Sequence, residues 1–171
     1  MRTAISALLL LFLLSINWLE VKGQDWRQIV PLKSTRTDVE RLLGPKKGAY
    51  FAVYDFKEGV LDIEYSTGPC QTDRNGGWNV AEGVVITLNF SPRRKNRIAD
   101  LKLDPRKFRM VVNEHVVGVL YYVNDEAGIT YEVQSGKIDW VEYGPRQRDE
   151  HLYCGDPAYE KQRPVKQARQ Q

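Results

Sequence analysis

Apolar and polar residues alternate along much of the chain, a spacing typical of β-strands that bury one face. In the clearest case, Leu61, Ile63 and Tyr65 alternate with Asp62 and Glu64. Segments with this character are bounded by residues that favour turns. The pattern predicts strands over residues 49–56, 60–66, 83–90, 98–103, 116–123, 129–134 and 137–143.

The last three predicted strands are separated by short polar turns. Residues 124–128 form the first turn, and Ser135 and Gly136 form the second. Short connections of this kind join antiparallel neighbours, so the sequence predicts a three-stranded C-terminal meander. Residues 104–112, which precede it, are predicted to contain a helical turn.

A short helix is predicted before the first strand. Thr37 and Glu40 have the spacing of a capping box, in which both side chains satisfy backbone groups of the first turn. Apolar residues follow at helical spacing within residues 39–43, and Gly44 and Pro45 end the helix. About two turns are marginal alone, so the helix needs a sheet to pack on. The predicted fold class is therefore α+β: a short N-terminal helix packed on an antiparallel sheet with a C-terminal three-stranded meander.

Residues 1–23 have the features of a secretory signal peptide. Arg2 supplies the positive charge, residues 7–14 are an unbroken apolar run, and the segment ends in the compact Val21-Lys22-Gly23. The alternative is a membrane anchor, for which the apolar stretch is short. We expect a single α+β domain over residues 24–154, a polar disordered tail over residues 155–171, and no stable membrane span in the mature chain.

Composition and charge narrow the class of protein. Hydrophobic residues make up 42% of the chain, with 13 Gly and 8 Pro, which excludes disordered and collagen-like chains. The net charge of +3 comes mostly from the tail, so residues 24–154 are formally neutral. Residues 93–97 are the only dense basic run, and a solvated turn explains them more simply than a basic binding patch. We therefore expect no nucleic-acid partner.

Cys70 and Cys154 are the only cysteines. An even number in an exported chain favours a disulfide bond between them. The alternative is a reactive thiol or a metal ligand, and His151 is the one histidine close to either cysteine in sequence. Mature protein is accordingly expected to be secreted or periplasmic.

No sequence motif points to catalysis, and we assign no catalytic residue, metal ligand or cofactor. The two histidines, His115 and His151, are interpreted as structural or solvated. Asp62 and Glu64 share one strand face about 7 Å apart at the rise of a strand. The two carboxylates could serve acid–base chemistry. They are explained equally well as polar residues that alternate along the solvent-exposed face of a strand.

Aromatic residues are frequent on the predicted strands. Consecutive Tyr121 and Tyr122 must point to opposite faces of a sheet, so one of them is expected to face outward. Together with Trp140 they are the candidate binding surface, because exposed aromatic side chains are common in contact surfaces. The alternative is core packing with hydroxyl groups that reach the surface.

Several segments resemble a family of small secreted bacterial proteins of unknown function. They are residues 31–45, 65–70, 77–80 and 125–132 and the final Cys154. Residues 37–45 alone also resemble the helix-to-strand step of the outer-membrane assembly lipoproteins of the SmpA/OmlA (BamE) type. That resemblance implies a protein-binding domain, although the chain lacks the cysteine that such lipoproteins carry for lipidation.

These observations predict an exported, non-enzymatic domain of a bacterial protein. It is expected to bind another exported or envelope protein through an exposed face of its sheet. Two alternatives stay open: a carrier of an apolar ligand, and a hydrolase built from dispersed carboxylates.

Overall fold

Seven strands pair into one antiparallel sheet in the computed structural model, which describes residues 26–71 and 77–155. The predicted signal peptide and residues 156–171 of the predicted tail lie outside the described residues. The strands are β1 (Phe51–Asp55), β2 (Gly59–Tyr65), β3 (Val85–Pro92), β4 (Arg109–Val112), β5 (Val119–Asn124), β6 (Ile129–Gln134) and β7 (Lys137–Tyr143). Their order across the sheet is β1-β2-β3-β7-β6-β5-β4.

The last strand of the chain lies in the middle of the sheet. β7 pairs with β3, with Leu88 opposite Tyr143 and Phe90 opposite Val141. Strands β1 to β3 therefore form one half of the sheet and strands β7 to β4 form the other half. β1 and β4 are left as the two edges.

The predicted α+β fold class is wrong. The described residues hold a single α-helix, α1 (Arg36–Leu43), and only Val39 of its eight residues is buried. The predicted meander is not an appended unit, because β7 continues the sheet from β3. Pairing between strands that are distant in sequence thus produces one dominant sheet. The helix contributes little to the hydrophobic core.

The helix begins two residues earlier than the predicted capping box implies. Thr35 is the N-cap: its hydroxyl accepts a hydrogen bond from the Asp38 amide, and the Asp38 carboxylate accepts one from the Thr35 amide. The Thr35 hydroxyl also donates to the Asp38 carboxylate, and the two hydrogen bonds that this carboxylate accepts from Thr35 lower the pKa of Asp38. Gly44 ends the helix as predicted, with a φ of 89° that favours glycine.

Two segments between β3 and β5 differ from their predicted structure. Ile98–Leu101 is a short 3₁₀ helix, η1, where a strand was predicted. Residues 105–107 form a turn, in which the Phe108 amide donates to the Asp104 carbonyl, within the segment predicted to contain a helical turn; β4 follows it, where no strand was predicted. Residues 98–101 sit at the end of the sheet, where the Ile98 amide donates to the Gly136 carbonyl and its side chain packs on the sheet.

The main core covers one face of β1, β2 and β3. Its fully buried members include Leu61, Ile63 and Leu88, and Ile29 and Val39 pack on them from outside the sheet. The half of the sheet from β7 to β4 differs, because it carries apolar clusters on both faces. One is built on Ile129, Val133, Ile138 and Val141 and the other on Val119, Tyr121, Val123 and Trp140.

Cys70 and Cys154 form the predicted disulfide bond, with 5.4 Å between their Cα atoms. Cys70 follows β2, and Cys154 follows the 3₁₀ helix η2 (Gln147–Leu152). Trp78 and Tyr153 pack beside the bond with ring centroids 5.1 Å apart. The bond therefore fastens the end of the described chain to the loop after β2.

Candidate functional site

Two of the three aromatic residues predicted to form a binding surface are buried. Tyr121 is 3% exposed and Trp140 is 5% exposed, with their ring centroids 6.2 Å apart. Tyr122 is half-buried and packs on the opposite face of the sheet. An exposed aromatic patch formed by these residues is therefore not present, and they belong to the apolar clusters.

The reason is that both faces of this half of the sheet are covered. Tyr121 lies opposite Glu132, which lies opposite Trp140, so the two aromatic rings share one face. The Tyr121 hydroxyl accepts a hydrogen bond of 3.0 Å from the side-chain amide Nδ2 of Asn113. Burial raises the pKa of Tyr121, and the nearby Glu132 carboxylate raises it further.

The exposed apolar side chains of this half lie instead along β4 and the loop that follows it. Met110 and Val112 are each 59% exposed, and Val117 is 99% exposed. Val116 is exposed as well. Met110 and Val112 lie on β4, and Val116 and Val117 follow after three polar residues, 113–115. We name residues 109–117 the β4 edge.

The backbone of β4 also has groups that point away from the sheet. Asn113 donates its amide hydrogen to the Val119 carbonyl, and β4 continues this ladder with Val111 opposite Tyr121. In an antiparallel ladder, hydrogen-bonded and non-hydrogen-bonded pairs alternate. Residues 109, 111 and 113 therefore bond to β5, whereas Met110 and Val112 direct their backbone groups outward.

The loop between β4 and β5 is held by the side chain of Asn113. The Asn113 carbonyl oxygen Oδ1 accepts hydrogen bonds from the amides of His115 and Val116, at 2.9 and 3.1 Å. Val119 closes the loop by donating to the Val116 carbonyl. The exposed valines of this loop are therefore presented by a hydrogen-bonded turn.

A shallow cleft of about 320 Å³ lies at the other end of β4. It is bordered by Pro105 to Arg109 and by the end of β5. Across it, Arg109 forms a bidentate ion pair with Asp125, with N–O distances of 2.9 and 3.1 Å. A second cleft of about 380 Å³ shares Glu126 and Gln147 with the first. Both clefts are lined by charged side chains of both signs.

The remaining chemical candidates do not converge on one place. His115 lies in the exposed β4–β5 loop, whereas His151 lies in η2, where its ring Nδ1 is 2.9 Å from the Arg148 carbonyl oxygen. Glu64, of the carboxylate pair, accepts a hydrogen bond from Thr87. Within residues 26–71 and 77–155 no group of three or more His, Cys, Asp and Glu side chains could hold a metal ion.

The basic run at residues 93–97 is exposed, and three of its four basic residues pair with acidic residues. Arg93 pairs with Asp55, Lys95 with Asp139, and Arg97 with Asp100 at 2.8 Å. Because of these ion pairs with acidic neighbours, the run does not form a continuous positive patch.

The disulfide bond is typical of a protein that has left the cytosol, where thiols are kept reduced. Across the described residues, no helix has both the length and the apolar character needed to cross a membrane. Comparison of the chain with protein-family models, with curated proteins and with solved structures finds no match. The sequence resemblances to secreted bacterial proteins and to SmpA/OmlA lipoproteins therefore stay predictions.

The β4 edge is not predicted from the sequence: the pattern predicts a helical turn within residues 104–112, which the structure has at residues 105–107, but no strand after it. The signal was present: Met110, Val111 and Val112 are a short β-favouring run, followed by a polar turn and a clear strand. Four residues are too few to show alternation. Only the pairing with β5 identifies them as an edge strand.

Proposed function

We propose that this protein is an exported, non-enzymatic binding domain, and that the β4 edge is its binding surface. Its partner is an exported or envelope protein that adds an extended segment beside β4. Main-chain hydrogen bonds supply affinity in this mode of recognition, and alternate side chains supply specificity.

The observation that carries the proposal is the combination of outward backbone groups and exposed apolar side chains along one strand. Met110 and Val112 contribute both. Edge strands are usually blunted by charged residues, prolines or bulges, because an open apolar edge pairs with other chains. β4 is short and begins with the charged Arg109, but its residues 110–112 carry no charge, proline or bulge.

Export is supported by the features of residues 1–23 and by the disulfide bond. The position of the exposed valines on the β4 edge also suits a binding role. Val116 and Val117 stand at the tip of a loop, where a partner has access from several directions.

Site-specific photo-crosslinking tests the proposal. A photoreactive amino acid would replace Val117 in the full chain, produced in cells that export it, and a matched variant would carry it at Val53. Val53 is an exposed valine, but it lies on β1 at the far edge of the sheet. We expect protein adducts from position 117 and none from position 53.

A second substitution ties the adducts to the edge. Met110→Lys places a charge beside the outward backbone groups and should abolish adducts from position 117 while export continues. Equal adducts from both positions, or none from position 117, would refute a binding role for the β4 edge.

A further inference from the structure

We propose that the basic segment near the end of the chain (residues 161–169) binds, within the same molecule, to the face of the sheet opposite the main core. This segment contains no acidic residue and carries Lys161, Arg163, Lys166 and Arg169. We name its binding surface the acidic face and define it by four carboxylates: Asp62, Glu64, Glu132 and Glu142. The inference goes beyond the proposed function, because this surface is separate from the β4 edge.

Strand register places these carboxylates on one face. Asp62 lies opposite Asn89, which lies opposite Glu142, so the three side chains form a row across β2, β3 and β7. Neighbouring strands are about 4.8 Å apart, so the Cα atoms of Asp62 and Glu142 are about 10 Å apart. Glu64 lies two residues after Asp62 on β2 and therefore points to the same face.

Glu132 extends the acidic face onto β6. It lies opposite Trp140, which is two residues before Glu142 on β7. Lys137 is the one basic residue of β2, β3, β6 and β7, and it stands at the start of β7, away from Glu142. These four strands therefore present an excess of negative charge.

An apolar cluster continues this face toward β5, and its side chains are buried. Val119, Tyr121, Val123 and Trp140 are 3–6% exposed. α1 and Ile98 of η1 pack on the opposite face, and η2 has no buried residue. The three described helices thus leave the burial of this cluster unexplained, and a segment that lies along the acidic face would account for it.

The chemistry of the basic segment matches both features of this surface. Its ammonium and guanidinium groups can pair with the carboxylates, and a guanidinium group also stacks on an aromatic ring such as that of Trp140. Between the basic residues stand the apolar Pro164, Val165 and Ala168. Each exposed ion pair contributes only about 0.2–1 kcal/mol, so binding requires several pairs at once. These contacts also have to offset the entropy lost when a tail that is predicted to be disordered becomes ordered.

The disulfide bond determines where the tail begins. β2 and β7 run in the same direction and finish at the same end of the sheet, close to Glu64 and Glu142. Cys154 is held at this end by its bond to Cys70, which follows β2. At about 3.3 Å per residue, the seven residues from Cys154 to Lys161 reach up to about 23 Å. The distance from β2 to β6 is three strand spacings, or about 14 Å. The basic segment can therefore reach all four carboxylates.

Carbodiimide cross-linking of the full, disulfide-bonded mature chain tests the proposal. The reagent joins an amine to a carboxylate that it contacts, with loss of water, and mass spectrometry locates the new bond. We expect bonds from Lys161 and Lys166 to the acidic face of the same chain. Glu58 and Glu114 are the control carboxylates, because both are exposed and lie in loops at the other end of the sheet. The yield on the acidic face should exceed the control yield by about tenfold, since binding keeps the amines beside it.

Two matched variants of the tail separate binding from chance contact. Arg163→Gln combined with Arg169→Gln removes two charges but keeps both lysines. Cross-linking to the acidic face should then fall about threefold or more, because two ion pairs are lost. Gln162→Ala combined with Gln170→Ala keeps the charge and should leave the yield unchanged. Circular dichroism checks that both variants fold.

Several outcomes would overturn the proposal. They are an absence of cross-links from both lysines, equal yields on the acidic face and on the control carboxylates, and equal yields from the two tail variants. Cross-links that join two chains and disappear on dilution would also refute binding within one molecule. Photo-crosslinking from position 117 examines a different surface, so its result is independent of these.

Discussion

β1 and β4 both lie at an edge of the sheet, but they are attached to the molecule differently. β1 places Ala52 and Tyr54 in the main core, and the Tyr54 hydroxyl donates a hydrogen bond to the Gly44 carbonyl at the end of α1. β4 has no buried side chain, and Val111 is only half-buried. β4 is therefore held mainly by its backbone ladder to β5.

The difference fits the proposal that β1 is a structural edge of the sheet and that β4 is its binding edge. Packing fixes β1, so its side chains contribute to the stability of the fold. The side chains of β4 are exposed or half-buried and contribute less to the stability of the fold. Regions with few buried contacts are those that open and exchange partners most easily.

The largest expected effect is that of removing the side chain that fastens β1. Tyr54→Ala removes a buried aromatic ring and should lower the free energy of unfolding by about 3–5 kcal/mol. Val111→Ala, the corresponding change on β4, should cost only about 1 kcal/mol, because Val111 is half-buried. Chemical denaturation of both variants measures the difference. Equal losses would break the distinction between the two edges.

Loss of the disulfide bond should have the next largest effect. The bond joins residues separated by 84 positions. Replacing both cysteines by serine should therefore lower the free energy of unfolding by about 2–4 kcal/mol. Chemical denaturation of the oxidised protein and of the double variant measures the loss. Equal free energies of unfolding would contradict a stabilising role of the bond.

A smaller effect is expected at the start of α1, close to β1. Thr35→Ala should cost about 1 kcal/mol, because it removes the N-cap hydroxyl that accepts from the Asp38 amide. Thr37→Ala is the control and lacks this capping role. Thermal unfolding of the two variants distinguishes the cap at Thr35 from the one predicted from sequence. The prediction is wrong if Thr37→Ala costs more.

The smallest effect is expected from single charges on the exposed side chains of the two edges. Val53→Lys and Met110→Lys should each change the free energy of unfolding of the monomer by no more than about 0.5 kcal/mol. Denaturation at low protein concentration measures this. A larger loss for Met110→Lys under these conditions would mean that β4 is part of the core.

Much of the strand content could be predicted from sequence, since β2, β6 and β7 have long, clear patterns. The alternation of Leu61, Ile63 and Tyr65 with acidic residues marks one buried face. The fold class could not be predicted in the same way. The decisive contact is between β3 and β7, whose residues are about 50 positions apart, and local patterns do not specify such pairing.

The candidate site was harder to predict for two physical reasons. Tyr121 and Trp140 belong to the binding surface predicted from sequence, but apolar clusters cover both faces of this half of the sheet, so alternation along β5 separates buried from half-buried residues and marks no exposed face. β4 is short and little buried, so its sequence carries almost no hydrophobic pattern. Its importance comes from its place at the end of the sheet, which only the pairing of strands reveals.

The bond between Cys70 and Cys154 turns the stretch between them into a covalent ring that contains five of the seven strands. A protease that cuts once within this ring leaves a single molecule, since both pieces stay linked through sulfur. The cut ends would also remain close to each other, held by the strands on either side. A nick in the β4–β5 loop would therefore leave the chain in one piece.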